Sequence, residues 1–316
     1  MNIKSVLTTH HHRLRVISNE YKTPIFLLWL DYALCFIMYG VSCTEYICHQ
    51  FHSHKHCYKK QFITARHKKH LERWFNDPKN KPVLDNKKIF NSTFDKFVTR
   101  KWISSSESIE SICEFIDKQK IVIVKPLDLS GGKGIEKYEY SSLEKSKNFI
   151  KSLQGEYLFE EAISNNDEIA KFNSCTLSTI RLYTLVSNGK VEIIQTIMRL
   201  GNGNSVVDNF HSNGIVCLVD VNKGIITKAT DREMNEFISH PISNHNLVGF
   251  EIPKWFELLN FTENLALSLP SNRWTAWDIA ITKTGFEVIE GNNYGDPTIL
   301  QMLTKKGLLP YLKSKI

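Results

Sequence analysis

Two apolar-alternating runs near the C-terminus, Trp277 to Thr282 and Phe286 to Glu290, are joined by Lys283-Thr284-Gly285. Alternation on both sides of a three-residue connection ending in Gly predicts a hairpin, because Gly accepts the left-handed conformation such a loop needs. Centring the register on Thr284 pairs Thr282 with Phe286, Ala280 with Val288 and Asp278 with Glu290. Residues two apart on a strand share a face, so Asn292 joins Asp278 and Glu290 if the strand runs on. Like charges directly opposite one another destabilise a ladder unless a cation separates them. Two carboxylates and an amide oxygen are hard donors suited to Mg2+, which keeps waters and takes further oxygens from phosphates. The competing reading is a solvent-facing hairpin with scattered polar residues.

A second constellation lies upstream. Ser108 to Lys120 has helical periodicity with Ser108 as its N-cap, and Ile121 to Val124 is a β-branched run that reads as a buried strand ending at Lys125. A lysine there leaves an apolar layer with its ammonium directed into a cleft, where a phosphate would neutralise it. Five residues on comes Ser130-Gly-Gly-Lys-Gly134. Its glycines let backbone N–H groups approach an anion and Lys133 adds charge, although the Walker A spacing is absent. Alone, such a loop is only a turn; after a strand-end lysine it reads as a phosphate flap. Tyr157 to Ile163 is a further strand carrying Glu160 and Glu161. Thr176 to Val186 and Val191 to Leu200 are strands carrying Arg181 and Arg199, and Asp208-Asn209-Phe210-His211 is a third polar group.

A chain of 316 residues with 42% hydrophobic content can bury a large core, and a prior of about 150 residues per domain suggests two domains or one elaborated unit. The formal charge of +7 comes from lysines spread along the chain without a long block, which favours a small anionic substrate over nucleic acid. Seven cysteines without framework spacing point to a reducing, cytoplasmic setting. The apolar stretch Ile25 to Cys43 holds Asp31, which would cost about 2.5–3.5 kcal/mol near the centre of a bilayer, so it reads as a buried helix or a partner-facing surface. To about residue 90 the chain is helical and rich in His, Lys and aromatics. Cys43, Cys48, His49, His52, His54, His56 and Cys57 are a candidate metal cluster without zinc spacing, or ordinary surface histidines.

The order of strand-lysine, glycine loop, Glu-Glu segment, antiparallel sheet and terminal Asp…Glu-x-Asn resembles the ATP-grasp superfamily. More narrowly, Ser178-Thr-Ile-Arg181, Arg199-Leu-Gly201, Val207-Asp-Asn-Phe210, His240-Pro241, Ile252-Pro253, Trp277 to Thr282 and Glu290-Gly-Asn292 resemble the sugar-transfer-associated ATP-grasp proteins. The chain departs from that pattern at Ser178, where Asn is expected, and at Ser212-Asn213-Gly214, where a Gly-Gly pair is expected. The resemblance implies an α+β fold, the ATP-grasp fold, in which two α+β subdomains clasp ATP. Its expected organisation is a helical N-terminal region over residues 1–90 and an ATP-grasp domain over 91–316, divided into 91–157 with the phosphate loop and 158–316 with the metal site. It places Lys96, Lys125, Gly131, Gly132, Lys133 and Gly134 on the phosphates, Glu160 and Glu161 at adenine and Glu168 at the ribose. Asp278, Glu290 and Asn292 would hold Mg2+, Arg181, Arg199 and Lys125 would serve catalysis, and Asp208, Asn209 and His211 would meet substrate.

The reaction implied is carboxylate–amine ligation through an acyl phosphate, with a sugar acid as the carboxylate and an amino acid or amine as its partner in surface-polysaccharide synthesis. The alternative is a non-catalytic ATP-binding module that recruits glycosyltransferases. Peripheral membrane association of the N-terminal third stays open beside both.

Overall fold

The computed structural model describes residues 3–127, 129, 133–203, 214–293 and 295–316. The chain opens with α1 (Ile3–Tyr21) and α2 (Ile25–Tyr39), bent from one another by 119° at the break before Pro24. Gly40 ends α2 at φ 64°, its N–H donating to the Phe36 carbonyl, and a Cβ there would lie 2.5 Å from Cβ of Arg66. Ser42 and Glu45 form a reciprocal capping box that starts α3 (Cys43–Cys48). Then come α4 (His56–Lys59) and α5 (Ala65–Phe75).

From Asn76 the elements alternate: α6 (Lys81–Asp85), α7 (Lys87–Thr93), β1 (Trp102–Ser104), α8 (Ile109–Gln119), β2 (Ile121–Pro126), β3 (Glu136–Glu139), α9 (Leu143–Ser152), β4 (Tyr157–Glu161) and α10 (Asp167–Ala170). The antiparallel run β5 (Thr179–Ser187), β6 (Lys190–Leu200), β7 (Ile215–Val219) and β8 (Ile226–Thr230) follows. After it come α11 (Trp255–Leu267), β9 (Trp274–Ile281), β10 (Phe286–Asn292), α12 (Thr298–Thr304) and α13 (Leu309–Lys313). Ser108 caps α8 as its sequence suggests, accepting the Ser111 N–H.

Two compact units result, one made of Met1–Phe75 with Asp296–Ile316 and the other of Asn76–Gly295. The first packs Leu14, Ile17, Leu28, Val41, Tyr46, Phe51 and Phe62 together. In it Gln301 is fully buried, its amide donating to the Ile63 carbonyl and accepting the Ile63 N–H, so that side chain is spent on holding backbone. Asp31 is half-buried on α2, paired with Lys59 at 3.2 Å and accepting from Tyr46 Oη at 2.7 Å. The Ile25 to Cys43 stretch is therefore not a buried helix. Leu28 and Cys35 are covered, whereas Phe26, Leu27, Leu30, Leu34, Phe36, Ile37 and Met38 reach solvent. No single helix among the described residues is long and apolar enough to cross a membrane. No group of three or more His, Cys, Asp or Glu among them is placed to hold a metal, and His49 is a buried ring against Phe62 rather than a surface histidine.

The second unit holds two antiparallel sheets, one in the order β1-β4-β2-β3 and one in the order β10-β9-β5-β6-β7-β8. One face of the larger sheet carries Ile180, Leu182, Met198, Cys217, Trp277, Ile279 and Val288, packed with Trp255, Leu258 and Leu265 of α11. Period-two alternation then obliges the residues between them to face the other way, and those include Arg181, Arg199 and Asp278.

Candidate functional site

Asp278 lies opposite Arg181 across β9 and β5, and opposite Glu290 across β9 and β10, so three charged side chains meet on one face. Arg181 grips Asp278 with two bonds, Nε to Oδ1 at 2.6 Å and Nη2 to Oδ2 at 2.7 Å. Arg199, two residues beyond the Ile197 that pairs with Arg181, reaches Asp278 Oδ2 at 2.8 Å. Arg181 Nη2 also stands 3.6 Å from Glu290 Oε1, and Asn292 Nδ2 lies 3.5 Å from the same oxygen. Asp278 is buried, with 2% of its side chain exposed, while 47% of the Glu290 side chain is open. Burial opposes ionisation of Asp278, but Arg181 and Arg199 outweigh it and hold the carboxyl at about 2. Glu290 moves the other way: desolvation of its carboxyl, and then Asp278 beside it, raise its proton affinity.

The hairpin register differs from the sequence expectation near the turn. Phe286 pairs with Ile281 rather than Thr282, and Val288 with Ile279 rather than Ala280, so four residues and not three connect the strands. A β-bulge at Ile289 then restores the expected pairing of Asp278 with Glu290 and puts Asn292 opposite Ala276 on the same face. Gly291 turns to the core, where a Cβ would come 2.9 Å from the Trp277 ring, which is why Gly separates the two polar residues.

The smaller sheet contributes a buried network. Lys125 at the end of β2 is ion-paired with Glu160 of β4. Glu160 also accepts from Arg100 Nη2 at 2.9 Å and Asn91 Nδ2 at 2.9 Å. Burial resists its ionisation, and Arg100 and Lys125 reverse that and hold it far below the carboxylate range. Arg100 Nη1 bonds Glu287 of β10 at 2.7 Å and the Val288 carbonyl at 2.7 Å. One guanidinium thus ties the two sheets together, and Glu287, opposite Ala280, shares the face of Asp278 and Glu290.

Of the residues singled out from sequence, Arg181, Arg199, Asp278, Glu290 and Asn292 come together, as do Lys125 and Glu160. Glu161 is occupied differently, accepting the Lys101 N–H at 3.1 Å. Lys96 is exposed after α7 and Glu168 is exposed on α10, and among the described residues no hydrogen bond or ion pair joins either to these groups. Lys133 is exposed, and Gly134 has φ 69° with no room for a Cβ beside Pro126. Gly131, Gly132, Asp208, Asn209 and His211 lie outside the described residues. Ser178 is held through its backbone by Asn165 and its buried hydroxyl has no partner among the described residues. Sequence reasoning missed Asn91, Arg100 and Glu287, which belong to no motif. It also missed Lys87, whose Nζ donates to the carbonyls of Pro126 and Leu129 at the edge of the glycine loop; only its place after the N-cap Asn86 singles it out.

The donor set suits a hard divalent cation. Glu290, with 47% of its side chain open, and Asn292 bring a carboxylate and an amide to the face of Asp278, whose own oxygens are engaged by Arg181 and Arg199.

The sequence of residues 66–315 matches a family model described as sugar-transfer associated ATP-grasp. No curated protein shows a significant match. Among solved structures, the ATP-grasp ligase PsnB, complexed with a phosphomimetic variant of minimal precursor, Mg and ADP, is similar at 17% identity and TM-score 0.41, over 69% of this chain and 53% of that one. D-alanyl-alanine synthetase A from Vibrio cholerae O1 biovar eltor is similar at 11% identity and TM-score 0.47, over 76% of this chain and 65% of that one. The chain thus spans between about half and two-thirds of the length of these two structures. The family match covers most of the sequence, and the chain belongs to the sugar-transfer-associated ATP-grasp family.

Proposed function

We propose that this protein is an ATP- and Mg2+-dependent ligase that joins a carboxylate to an amine by way of an acyl phosphate. The observation that carries this reading is the convergence of Arg181, Arg199, Asp278, Glu290 and Asn292 on one sheet face, tied through Arg100 to the Lys125–Glu160 pair of the other sheet. In such a reaction the carboxylate takes the terminal phosphoryl group of ATP, and the amine then displaces phosphate to form the amide. The work of the protein is positioning and charge stabilisation.

Arg181 and Arg199, each with 12% of its side chain exposed, would present N–H donors to the transferring phosphoryl group. Lys125 would meet the nucleotide phosphates with the ammonium protons that Glu160 does not use. Glu160 itself keeps Lys125 and Arg100 in place rather than contacting adenine directly, since the buried cations already take its oxygens. Glu290 and Asn292 would hold Mg2+, joined by Asp278 where a bound phosphoryl group draws Arg181 and Arg199 from its oxygens; when bound, the ion supplies neutralisation of the phosphate oxygens. Asp208, Asn209 and His211 remain the candidates for the acceptor side, and Gly131 to Gly134 for the phosphate flap. The family description's link to sugar transfer supports a sugar-bearing substrate; a carboxylated sugar as the acceptor, with an amino acid or amine as the second substrate, is the form of it we propose.

Calorimetric titration of ATP with Mg2+ into wild type and Asp278→Ala/Glu290→Ala protein tests the nucleotide site. Micromolar, metal-dependent binding that disappears in the double variant is expected; no binding to wild type would sink the ligase reading. ATP-dependent hydroxamate formation with hydroxylamine and a panel of uronates then tests the acyl phosphate.

A further inference from the structure

The exposed side of α2 is apolar along its whole length. Phe26, Leu27, Leu30, Leu34, Phe36, Ile37 and Met38 reach solvent, Phe26 with 67% and Ile37 with 68% of their surface. Fifteen residues make a helix about 22 Å long, and none of these exposed side chains can form a hydrogen bond or carry a charge. Asp31 is half-buried, its charge paired with Lys59 at 3.2 Å and its carboxylate accepting from Tyr46 Oη at 2.7 Å, so it adds no unpaired charge to that face. Trp29 and Tyr32 sit half-buried between the two sides, with Trp29 Nε1 3.4 Å from His11 Nδ1. That is the place amphipathic rings take at a lipid headgroup boundary.

Charge is divided as unevenly as hydrophobicity. Met1–Phe75 with Asp296–Ile316 carries fifteen Lys and Arg against five Asp and Glu, a formal +10, whereas Asn76–Gly295 carries twenty-five against twenty-eight, a formal −3. Of those five acids, Asp31, Glu45 and Asp296 are already paired with Lys59 or Lys68. Cations bracket α2 itself: Lys22 is exposed before its first turn, and Arg66 donates to the Ile37 carbonyl at 2.7 Å and the Met38 carbonyl at 3.1 Å at its end.

We propose that α2 lies flat on an anionic membrane surface, its outer face sunk into the boundary between headgroups and acyl chains while Lys22, Arg66 and the basic residues of the same unit meet lipid phosphates. An in-plane amphipathic helix with apolar burial on one side and cations around it binds in this way. The 119° bend between α1 and α2 keeps the pair from forming one spanning rod. Charge complementarity selects this occupant over a second copy of the chain, which would bring +10 against +10.

The test is co-sedimentation of the full chain with vesicles of phosphatidylcholine alone and with ~30% phosphatidylglycerol, a surface of the anionic kind that attracts such patches. The double variant Phe26→Gln/Ile37→Gln alters side chains that pack against little, and its circular dichroism verifies folding; Leu34→Gln serves if the double variant does not fold. Expected are binding to the anionic vesicles, at least about tenfold weaker binding to phosphatidylcholine alone, and a loss of about tenfold or more in the variant. Quenching of tryptophan fluorescence by brominated lipid should accompany wild-type binding and shrink in Trp29→Phe, which isolates Trp29 from the other five tryptophans. No vesicle binding, binding untouched by the variant, equal binding to both vesicle types, or a dimer that the variant dissolves without vesicle binding would each overturn the proposal, the last in favour of self-association.

Discussion

Asp278 and Glu290 face one another, yet the same surroundings move them in opposite directions, and that difference separates their roles. Asp278 is held at about 2 by two arginines. Its lowered folded-state value means that its stabilising contribution is complete above the unfolded value of about 3.9 and is lost as pH falls from there towards 2. Urea denaturation between pH 5 and 2.5 should show stability declining over that window, and a decline that Asp278→Asn leaves unaltered would contradict the assignment. Removing the carboxylate outright strands two buried guanidiniums, so Asp278→Ala should cost about 3–5 kcal/mol at pH 7. Glu290, whose folded-state value is raised, is stabilising only below its unfolded value and loses that contribution as pH rises through the folded one. Near neutrality without metal its charge is therefore a liability. Glu290→Gln should unfold at no lower urea concentration than wild type while losing Mg2+-dependent nucleotide binding by tenfold or more. Such a trade of stability for function is what an ion-binding carboxylate exhibits, and a destabilised Glu290→Gln protein would assign Glu290 to structure instead.

Hairpin β9–β10 illustrates how much of an element a sequence discloses. Alternation alone makes the opposition of Asp278 and Glu290 legible, because it depends on parity and on where the polar residues fall. The turn is not legible to the same degree: a four-residue connection shifts the ladder by one, and the extra residue at Ile289 shifts it back, so two departures cancel at the carboxylates. Deleting Ile289 should leave Glu290 opposite Asp278 and keep metal-dependent nucleotide binding within a few-fold. Inserting one Ala after Ile289 should turn Glu290 towards Trp277 and abolish it. Equal damage from the two changes, measured by calorimetric titration, would show that the bulge itself and not the pairing matters. Arg100 was hidden for a different reason. Its partners Asn91, Glu160 and Glu287 are 9, 60 and 187 residues away, and no local period announces a cation that joins two sheets. Lys125 and Glu160 each stood out locally; their pairing is a property of strand order β4-β2.

Across the whole molecule, the +7 formal charge conceals two fields of opposite sign, and this decides how each proposed ligand would be attracted. The Asn76–Gly295 unit carries a net −3, so it has no long-range pull on a nucleotide. Any attraction comes from Lys125, Arg181 and Arg199, whose side chains are each 12% exposed and are fixed by ion pairs rather than spread over a surface. Partly buried charges are screened little by salt, whereas exposed ones separated by more than a Debye length, about 10 Å at 0.1 M, are largely screened. The basic unit is the reverse case, with Lys22, Arg15, Lys55, Lys60 and Arg66 all exposed. One chain should therefore show two salt dependences. Raising NaCl from about 0.05 to about 0.3 M, with Mg2+ saturating, should change nucleotide affinity by no more than about threefold, while binding to anionic vesicles falls by more than tenfold. Calorimetry for the first and sedimentation for the second, on the same preparation, read both. A nucleotide affinity that dropped as steeply as vesicle binding would mean that the diffuse field of the basic unit draws the anion, and the cluster around Asp278 would lose its claim to be the site.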